Sequence, residues 1–315
     1  MSAKFTRSSK SPTRVRPWGP STALLAISAL MCSGWACQAQ TCDMTLLQGP
    51  GTVTIDYNPF AIGASSAALN LKLENRASEA CDLELSFTDD SGAQRRDLVL
   101  GGVGVQFRPR ETSGLRVSDL QPGIFYFTVP GRTSAEAQFD VAVVVDAVPE
   151  AGEHGADLQL LVRDVDRTEL LPAIPVRVVV ISTPRAQLNL AGAAGAFGSN
   201  SSVEVVDFGD AVTGATRRIF VQMRANTPST LTIKSEHRGV MRRVADDKIQ
   251  TDSSVPYGVE LDGDPVDLDG IWSRPVDPPR TLAGMSLPMA FTLGAVTGQM
   301  AGRYEDVLTL DLSPH

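Results

Sequence analysis

The sequence has 315 residues, of which 43% are hydrophobic and 20% are charged. This length and composition suffice for two compact domains and exclude a wholly disordered chain. The formal net charge is −8 at pH 7. Because like charges repel, an acidic chain is a poor partner for nucleic acid and for anionic lipid headgroups.

Residues 1–39 have the pattern of an export signal, in which a basic region precedes the apolar run 23–31. The run is too short to span a bilayer, and no later stretch is apolar over the ~20 residues that a transmembrane helix needs. Small residues end the segment, so we expect cleavage after Ala39. A rival interpretation is a lipoprotein acylated on Cys32 or Cys37, although the residues before both cysteines fit a lipobox poorly.

Two cysteines, Cys42 and Cys81, remain after this cleavage. An even pair in an exported protein predicts a disulfide, because the periplasm and the cell exterior are oxidising. The bridge would close a loop of roughly 40 residues, which is worth about 3–4 kcal/mol in the chain-entropy model.

Strand patterns follow one another from residue 40 onward. Apolar and polar residues alternate, and glycine, proline, asparagine and aspartate separate the runs, which is typical of half-buried antiparallel strands. No window has a long helical period bounded by caps. The sequence therefore predicts an all-β fold built of sandwiches. The alternating runs are 52–57, 68–73, 82–87, 124–129, 139–143 and 176–181.

An internal repeat with an offset of about 150 residues indicates two copies of one domain. Ala151-Gly152 precedes three alternating aliphatic residues, and Ala301-Gly302 precedes another three at the same spacings. Since Pro184 cannot donate to a strand ladder, we place the boundary beside it. The predicted domains are 40–183 and 184–315. The aliphatic residues are Leu158, Leu160 and Val162 in the first copy and Leu308, Leu310 and Leu312 in the second.

The second copy resembles the spore coat protein U domain, the pilin module of archaic (Csu-type) chaperone–usher pili. An Asp-Phe-Gly near the front and an ending of the form AGxYxDxxxxxL are typical of that family. The first copy is degenerate, with His154 at the position of Tyr304. Cys42 and Cys81 resemble the family's pair that joins early strands. The motif residues, to which the resemblance gives structural roles, are Asp207, Phe208, Gly209, Gly302, Tyr304 and Asp306.

The resemblance implies two immunoglobulin-like (pilin-type) sandwiches, of which the C-terminal one lacks a strand. In the family a periplasmic chaperone lends that strand, an outer-membrane usher assembles the fibre, and the donor strand of the next pilin subunit takes the place of the chaperone. Only Gln40 and Thr41 precede Cys42 after the expected cleavage, so we expect no donor segment and hence a subunit at the fibre tip. The N-terminal domain would be complete in itself, with residues 177–181 as its closing strand.

The predicted function is therefore a pilus-tip adhesin, exported through the periplasm to the cell surface, that mediates surface attachment and biofilm formation. The alternative is a secreted spore-coat-like or matrix protein outside any pilus. For contact with an abiotic or host surface, apolar residues in or beside turns are the candidates, because water disfavours them there. They are Phe60, Ile62 and Phe125, with Ile271-Trp272 as a second exposed pair.

The sequence predicts no enzyme and no cofactor. None of the three histidines lies in a metal-ligand pattern or near a cysteine, and the serine elbow GxSxG is absent. An acidic cluster raises the possibility of calcium, but its spacing does not fit an EF-hand loop, so solvated turns are the preferred interpretation. The histidines are His154, His237 and His315, and the acidic residues are Asp262, Asp264, Asp267 and Asp269.

Overall fold

The computed structural model describes residues 42–198, 203–245 and 248–315. The predicted signal peptide, 1–39, and its two cysteines lie outside the described residues. The remainder belongs to one compact unit, Gln40–His315. No helix in the described segments has the length and apolar character needed to cross a bilayer. The described chain is all-β apart from one short 3-10 helix, Glu111–Ser113.

The N-terminal sandwich is formed by eleven strands in two sheets. One sheet has the order β1-β3-β9-β6-β5 and the other the order β2-β11-β10-β4-β8-β7. Its core is continuous between the sheets and includes three aromatic rings packed around that of Phe87. The strands are β1 (Met44–Gln48), β2 (Gly51–Tyr57), β3 (Ser66–Asn75), β4 (Cys81–Thr88), β5 (Asp97–Leu100), β6 (Val103–Pro109), β7 (Arg116–Val117), β8 (Ile124–Val129), β9 (Thr133–Val145), β10 (Gly152–Asp164) and β11 (Ile174–Ser182).

The C-terminal sandwich also has two sheets, but they are unequal. The larger has the order β12-β13-β19-β16-β15-β20, with β17 paired to β16, and the smaller has only β18-β14-β21. A second hydrophobic core lies between them. The strands are β12 (Ala186–Ala191), β13 (Thr216–Ala225), β14 (Ser229–Ser235), β15 (Val240–Ala245), β16 (Lys248–Leu261), β17 (Asp264–Val266), β18 (Ile271–Val276), β19 (Met285–Leu293), β20 (Arg303–Glu305) and β21 (Leu308–Pro314).

Burial follows the alternation that the sequence predicts. In β2, Val53, Ile55 and Tyr57 face the core while the residues between them are exposed. Each of the six alternating runs lies within a strand of the N-terminal sandwich, so the all-β prediction is confirmed. The predicted disulfide is also present: Cys42 and Cys81 are joined with their Cα atoms 5.6 Å apart, which ties the start of β4 to the chain just ahead of β1.

The closing strand of the N-terminal sandwich is β11. It pairs antiparallel with β10, where Val176 lies opposite Leu158, and parallel with β2, where Val178 lies opposite Val53. Val176, Val178 and Val180 are all buried. Three valines spaced by two therefore fill the inner face of this sheet, and the edge of β10 is covered by the chain's own next strand.

In the C-terminal sandwich, the smaller sheet corresponds to the sheet that contains β11, but it has no strand at the place of β11. β14 and β21 occupy the places that β4 and β10 have in the first copy, and β21 pairs with β14 alone among the described residues. The segment 203–208, at the chain position of β2, holds no strand. Among the described residues, no strand lies between β21 and this segment, as the resemblance implies.

The two sandwiches meet through a buried asparagine. Asn226 follows β13, and its side-chain amide donates to the Ser182 hydroxyl (3.0 Å) and to the Thr183 carbonyl (2.9 Å). Its side-chain oxygen accepts from the Arg185 amide (2.7 Å), and its carbonyl oxygen accepts from the Ala151 amide (3.1 Å). The short connection between β11 and β12 is therefore held to both sandwiches.

Two arginines of the C-terminal sandwich, Arg224 and Arg280, also contact the N-terminal sandwich at this junction. The Arg224 guanidinium lies between two aromatic rings, 4.7 Å from the Phe60 centroid and 4.2 Å from that of Phe197. Burial lowers the pKa of Arg224 from its ordinary value. Arg280 forms a 3.2 Å ion pair with Glu150 at the end of the N-terminal sandwich. The N-terminal sandwich thus contributes its loops 58–65 and 146–151 to the junction, and these loops lie at the end where β11 leaves it.

Candidate functional site

The candidate site is the open groove that replaces the missing strand. The unpaired edge of β21 and strand β20 form one side, and segment 203–208 forms the other. The groove has a volume of about 790 Å³. Apolar side chains from four strands of the larger sheet and from β21 line its inner wall; they are Leu190, Ile219, Met241, Met289, Phe291, Leu308 and Leu310.

Comparison with the closed sandwich shows how much apolar surface the groove leaves open. Leu158 and Leu160 of β10, which lie beside β11 in the same sheet, are fully buried. Leu308 and Leu310, their counterparts in β21, are only partly buried. On the opposite side, Ile55 and Tyr57 of β2 are buried, whereas their counterparts Val206 and Phe208 are only partly buried. The groove is therefore an apolar surface with a free strand edge beside it.

A buried carboxylate forms the centre of the groove wall. The side chain of Asp306 is 2% exposed and lies where β20 ends and β21 has not yet begun. It accepts hydrogen bonds from the Tyr257 hydroxyl (2.5 Å), the Ser235 hydroxyl and the Val307 amide. His237 donates its backbone amide (3.0 Å), and its Nδ1 lies 2.9 Å from the same carboxylate. Such a carboxylate is fully satisfied without a ligand.

This carboxylate fixes the path of the strand that borders the groove. Burial, and then the hydrogen bond to Asp306, raise the pKa of Tyr257, so its hydroxyl stays protonated and donates at any ordinary pH. Residues 303–305 turn away from the groove edge and pair with β15, while their counterparts 153–155 in the first copy pair with β11. Asp306 therefore marks the point at which the groove edge bends.

Tyr304 anchors the loop that precedes the groove. Its hydroxyl donates to the Met300 carbonyl (2.7 Å) and lies 2.5 Å from the Ser253 hydroxyl. Ser253 in turn donates to the Gln299 side chain (2.7 Å). Gly302, two residues before Tyr304, has a φ of 157°, and a Cβ there would lie 3.2 Å from the Arg243 side chain. The predicted motif residues at this end thus order the loop 294–302.

The Asp-Phe-Gly motif lies across the groove from β21. The Asp207 carboxylate accepts from the Gly209 amide (2.8 Å), and Gly209 has a φ of 65°, a conformation that favours glycine. The Arg217 guanidinium donates to the carbonyls of Asp207 and Phe208 and lies 5.8 Å from the Phe208 ring. Phe208 packs against the core beneath. The motif therefore holds the second rim of the groove in place.

The three surface-contact candidates lie in different environments. The prediction for Phe125 is corrected, because this residue is 0% exposed and its ring packs 5.0 Å from that of Phe139. Phe60 faces Arg224 at the junction between the sandwiches. Ile62 is fully exposed in the same loop. The other apolar pair lies on an edge strand, where Ile271 is exposed and Trp272 packs partly on the second core.

The histidines and the acidic cluster form no common centre. His154 Nε2 lies 2.8 Å from the Glu150 carbonyl, His237 lies beside Asp306, and His315 Nε2 lies 2.6 Å from the Thr230 hydroxyl. Asp264 pairs with Arg274 at 3.2 Å. Among the residues that the structure describes, no group of three or more histidine, cysteine or acidic side chains could hold a metal ion.

Sequence reasoning located Asp306 but not the side chains that bind it. Tyr257 and Ser235 lie 49 and 71 positions earlier in the chain, and nothing in their local pattern points to a carboxylate. It also missed Asn226 and Arg224 at the junction. Both follow the alternating part of β13, and the one available signal is a polar residue at a strand end, which is common in turns.

Comparison with known proteins gives similarity in fold only. No family model matches the chain, and no curated protein sequence matches it. Among solved structures, a chaperone–tip adhesion subunit pre-assembly complex of the archaic Csu pilus of Acinetobacter baumannii is 10% identical, covers 86% of this chain and 99% of that chain, and has a TM-score of 0.43.

Two further solved structures are similar at the same level. A tip adhesin of Pseudomonas aeruginosa is 12% identical over 86% of this chain and 94% of its own, with a TM-score of 0.38. The adhesive subunit of CFA/I fimbria of enterotoxigenic Escherichia coli is 15% identical over 86% and 78%, with a TM-score of 0.31. Likeness at these values does not identify a function.

Proposed function

We propose that this chain is the tip subunit of a chaperone–usher pilus, that it joins the fibre by donor-strand complementation, and that it attaches the exporting cell to surfaces and supports biofilm formation. The open groove of the C-terminal sandwich carries the proposal. In the N-terminal sandwich the chain's own β11 fills the equivalent place, so the groove is a site for a strand that this sandwich does not supply itself.

A strand from another polypeptide would gain two kinds of interaction in the groove. The free edge of β21 offers backbone hydrogen bonds, and the apolar wall offers burial for alternate side chains. An unpaired edge beside exposed apolar surface is also an aggregation hazard. For that reason a periplasmic chaperone would occupy the groove first, and the strand of the next subunit, delivered at an outer-membrane usher, would replace it.

One closed and one open sandwich favour a position at the end of the fibre. The C-terminal sandwich accepts a strand and so connects to the fibre, while the N-terminal sandwich needs nothing from a neighbour and is free to meet a surface. Domains at 40–183 and 184–315 and export after cleavage at Ala39 belong to the same proposal. The chain would then carry its surface contacts on the N-terminal sandwich.

The test of the groove is to close it within one chain. Because β21 and β10 match at an offset of 150, His315 corresponds to Val165. A copy of residues 166–182 is therefore appended after His315. It places a second β11 beside β21 in the register that the first copy shows. Burial of its inner side chains would give a net gain of about 3 kcal/mol, which raises the Tm of the C-terminal sandwich by about 10 °C. Trp272, which alone among the tryptophans lies outside residues 1–39, reports that transition by fluorescence.

The matched control carries Val176→Asp and Val178→Asp within the appended copy. It has the same length and the same turn, but its inner face is charged, so we expect its Tm to equal that of the unextended chain. Equal melting temperatures for the two extended chains would contradict an acceptor groove at this place.

Attachment is tested at Ile62, the fully exposed candidate. Burial of an isoleucine against an apolar surface contributes about 1.5–3 kcal/mol, so Ile62→Ser should weaken each contact about tenfold or more. Counting cells that stay attached to polystyrene under flow measures this loss. Leu120→Ser, at another highly exposed position of the same sandwich, is the control, and equal retention of both variants would exclude Ile62 from the contact.

A further inference from the structure

We infer that the outer end of the C-terminal sandwich is a docking platform for the body of the subunit whose strand fills the groove. The platform consists of the loops 209–215 and 294–302. The inference rests on the proposed function, and it adds a second contact surface and the chemistry of the partner that fits it.

The platform loops occupy the same positions in the second copy of the repeat as the junction loops occupy in the first. Loop 58–65 follows β2 and loop 146–151 precedes β10, and both contact the next sandwich at the junction. In the second copy, loop 209–215 follows the segment equivalent to β2, and loop 294–302 precedes β20. The platform therefore occupies, on the C-terminal sandwich, the place by which the N-terminal sandwich holds its neighbour.

The direction of the missing strand leads to the same place. β11 ends at Ser182, opposite Gly152, and residues 183–185 then connect it to the following sandwich. A donor in the same register follows the groove edge to Asp306, where that edge bends, and its last four residues lead on toward Gly302 at the edge of the platform. Three residues span at most about 11 Å. A donor subunit with a connection of similar length would have its own sandwich against the platform.

The platform is ordered and partly apolar. The Thr213 hydroxyl oxygen accepts from the Val296 amide (3.1 Å), which joins the two loops, and Tyr304 holds the Met300 carbonyl from below. On this fixed backbone, Val212 is 60% exposed and Met300 is 53% exposed. These two exposed apolar side chains, on loops joined by a hydrogen bond, are the groups that a partner would cover.

The charge of the platform specifies the partner further. At the internal junction the following sandwich supplies Arg224 and Arg280, which meet Phe60 and Glu150. The platform presents Asp210, which is exposed. The partner that fits is therefore the end of another β-sandwich, apolar and carrying a basic side chain opposite Asp210.

The test separates the platform from the groove. The full chain is prepared with Val212→Asp and Met300→Asp, and two properties are measured: binding of a synthetic peptide with the β11 sequence, residues 174–182, and the amount of chain in fibres sheared from cells of the native host. We expect peptide binding within about twofold of the unmodified chain, and at least a tenfold loss from the fibres, since loss of one buried apolar contact already exceeds 1.4 kcal/mol.

Two further variants complete the experiment. Val212→Ile with Met300→Leu keeps the apolar surface and should leave the fibre content unchanged, and so should Leu120→Asp, which adds a charge on the N-terminal sandwich. Unchanged fibre content in the double aspartate variant would overturn the platform, and so would loss of peptide binding in it. If the unmodified chain neither binds the peptide nor enters fibres, the proposed function itself fails.

Discussion

Val178→Asp should unfold the N-terminal sandwich while the C-terminal sandwich stays folded. Val178 is fully buried in β11, between Ala156 of β10 and Val53 of β2. A carboxylate at this place has no partner in the surrounding core, and an unpaired buried charge is among the largest single-residue effects, about 5 kcal/mol. That value is comparable to the whole free energy of unfolding of a domain.

The measurement uses the chain whose groove is closed by the appended copy, so that both sandwiches are stable at the start. Circular dichroism should lose the strand signal of the N-terminal sandwich at room temperature, while the fluorescence transition of Trp272 is retained. Thr54→Asp is the control, because Thr54 is exposed on the neighbouring strand β2 and should change stability by less than about 0.5 kcal/mol. A folded Val178→Asp variant would mean that β11 is not the strand that closes this sandwich.

Asp306→Ala should strongly destabilise the C-terminal sandwich. The substitution leaves five donors without their acceptor: two hydroxyls, the His237 side chain and two backbone amides, of which only the Val307 amide is exposed. Each buried donor left without a partner costs about 1–3 kcal/mol, so the four donors that are not exposed give a total of at least about 4 kcal/mol. The midpoint of urea unfolding, followed by Trp272 fluorescence, should fall accordingly.

Asp311→Ala provides the comparison for this variant. Asp311 lies in β21, is exposed and accepts only from the Ser313 hydroxyl, so its loss should shift the midpoint little. If the two variants unfold at the same urea concentration, then Asp306 does not hold the groove edge. Tyr257→Phe, which removes one of the donors and keeps the ring, should lie between them.

The sequence was sufficient for the architecture because alternation records which face of a strand is buried. The repeat went further, since it matched β10 to β21, and the resemblance to the spore coat protein U domain implied that the second copy lacks a strand. Alternation does not record how a strand end is covered. The prediction that Phe125 contacts a surface was wrong for that reason. Phe125 is the second residue of β8 and follows a glycine by two positions, but Phe139 of the facing sheet packs against it and it is completely buried.

Contacts between distant parts of the chain were beyond sequence reasoning. The motif pointed to Asp306, yet the hydroxyls that bind it come from β14 and β16, and only the packed sandwich brings them together. The same holds for Arg224, which lies between Phe60 of one sandwich and Phe197 of the other. Pairing across tens of residues depends on the register of several strands at once, and no single window contains it.

The setting of β11 also determines how the molecule would bear load. The strand continues directly into the connection between the sandwiches. In a fibre of the kind proposed, tension would therefore reach the N-terminal sandwich at Ser182 and pull along the axis of β11. Its ladders to β10 and β2 lie on both sides of that axis. For a surface contact at the far end of the sandwich, both ladders would be sheared together, and their hydrogen bonds would break as a group. A contact at Ile62, which lies at the same end as Ser182, would instead load β2 and β11 from one end, where bonds break one after another. The place of the surface contact therefore decides how much force the sandwich withstands.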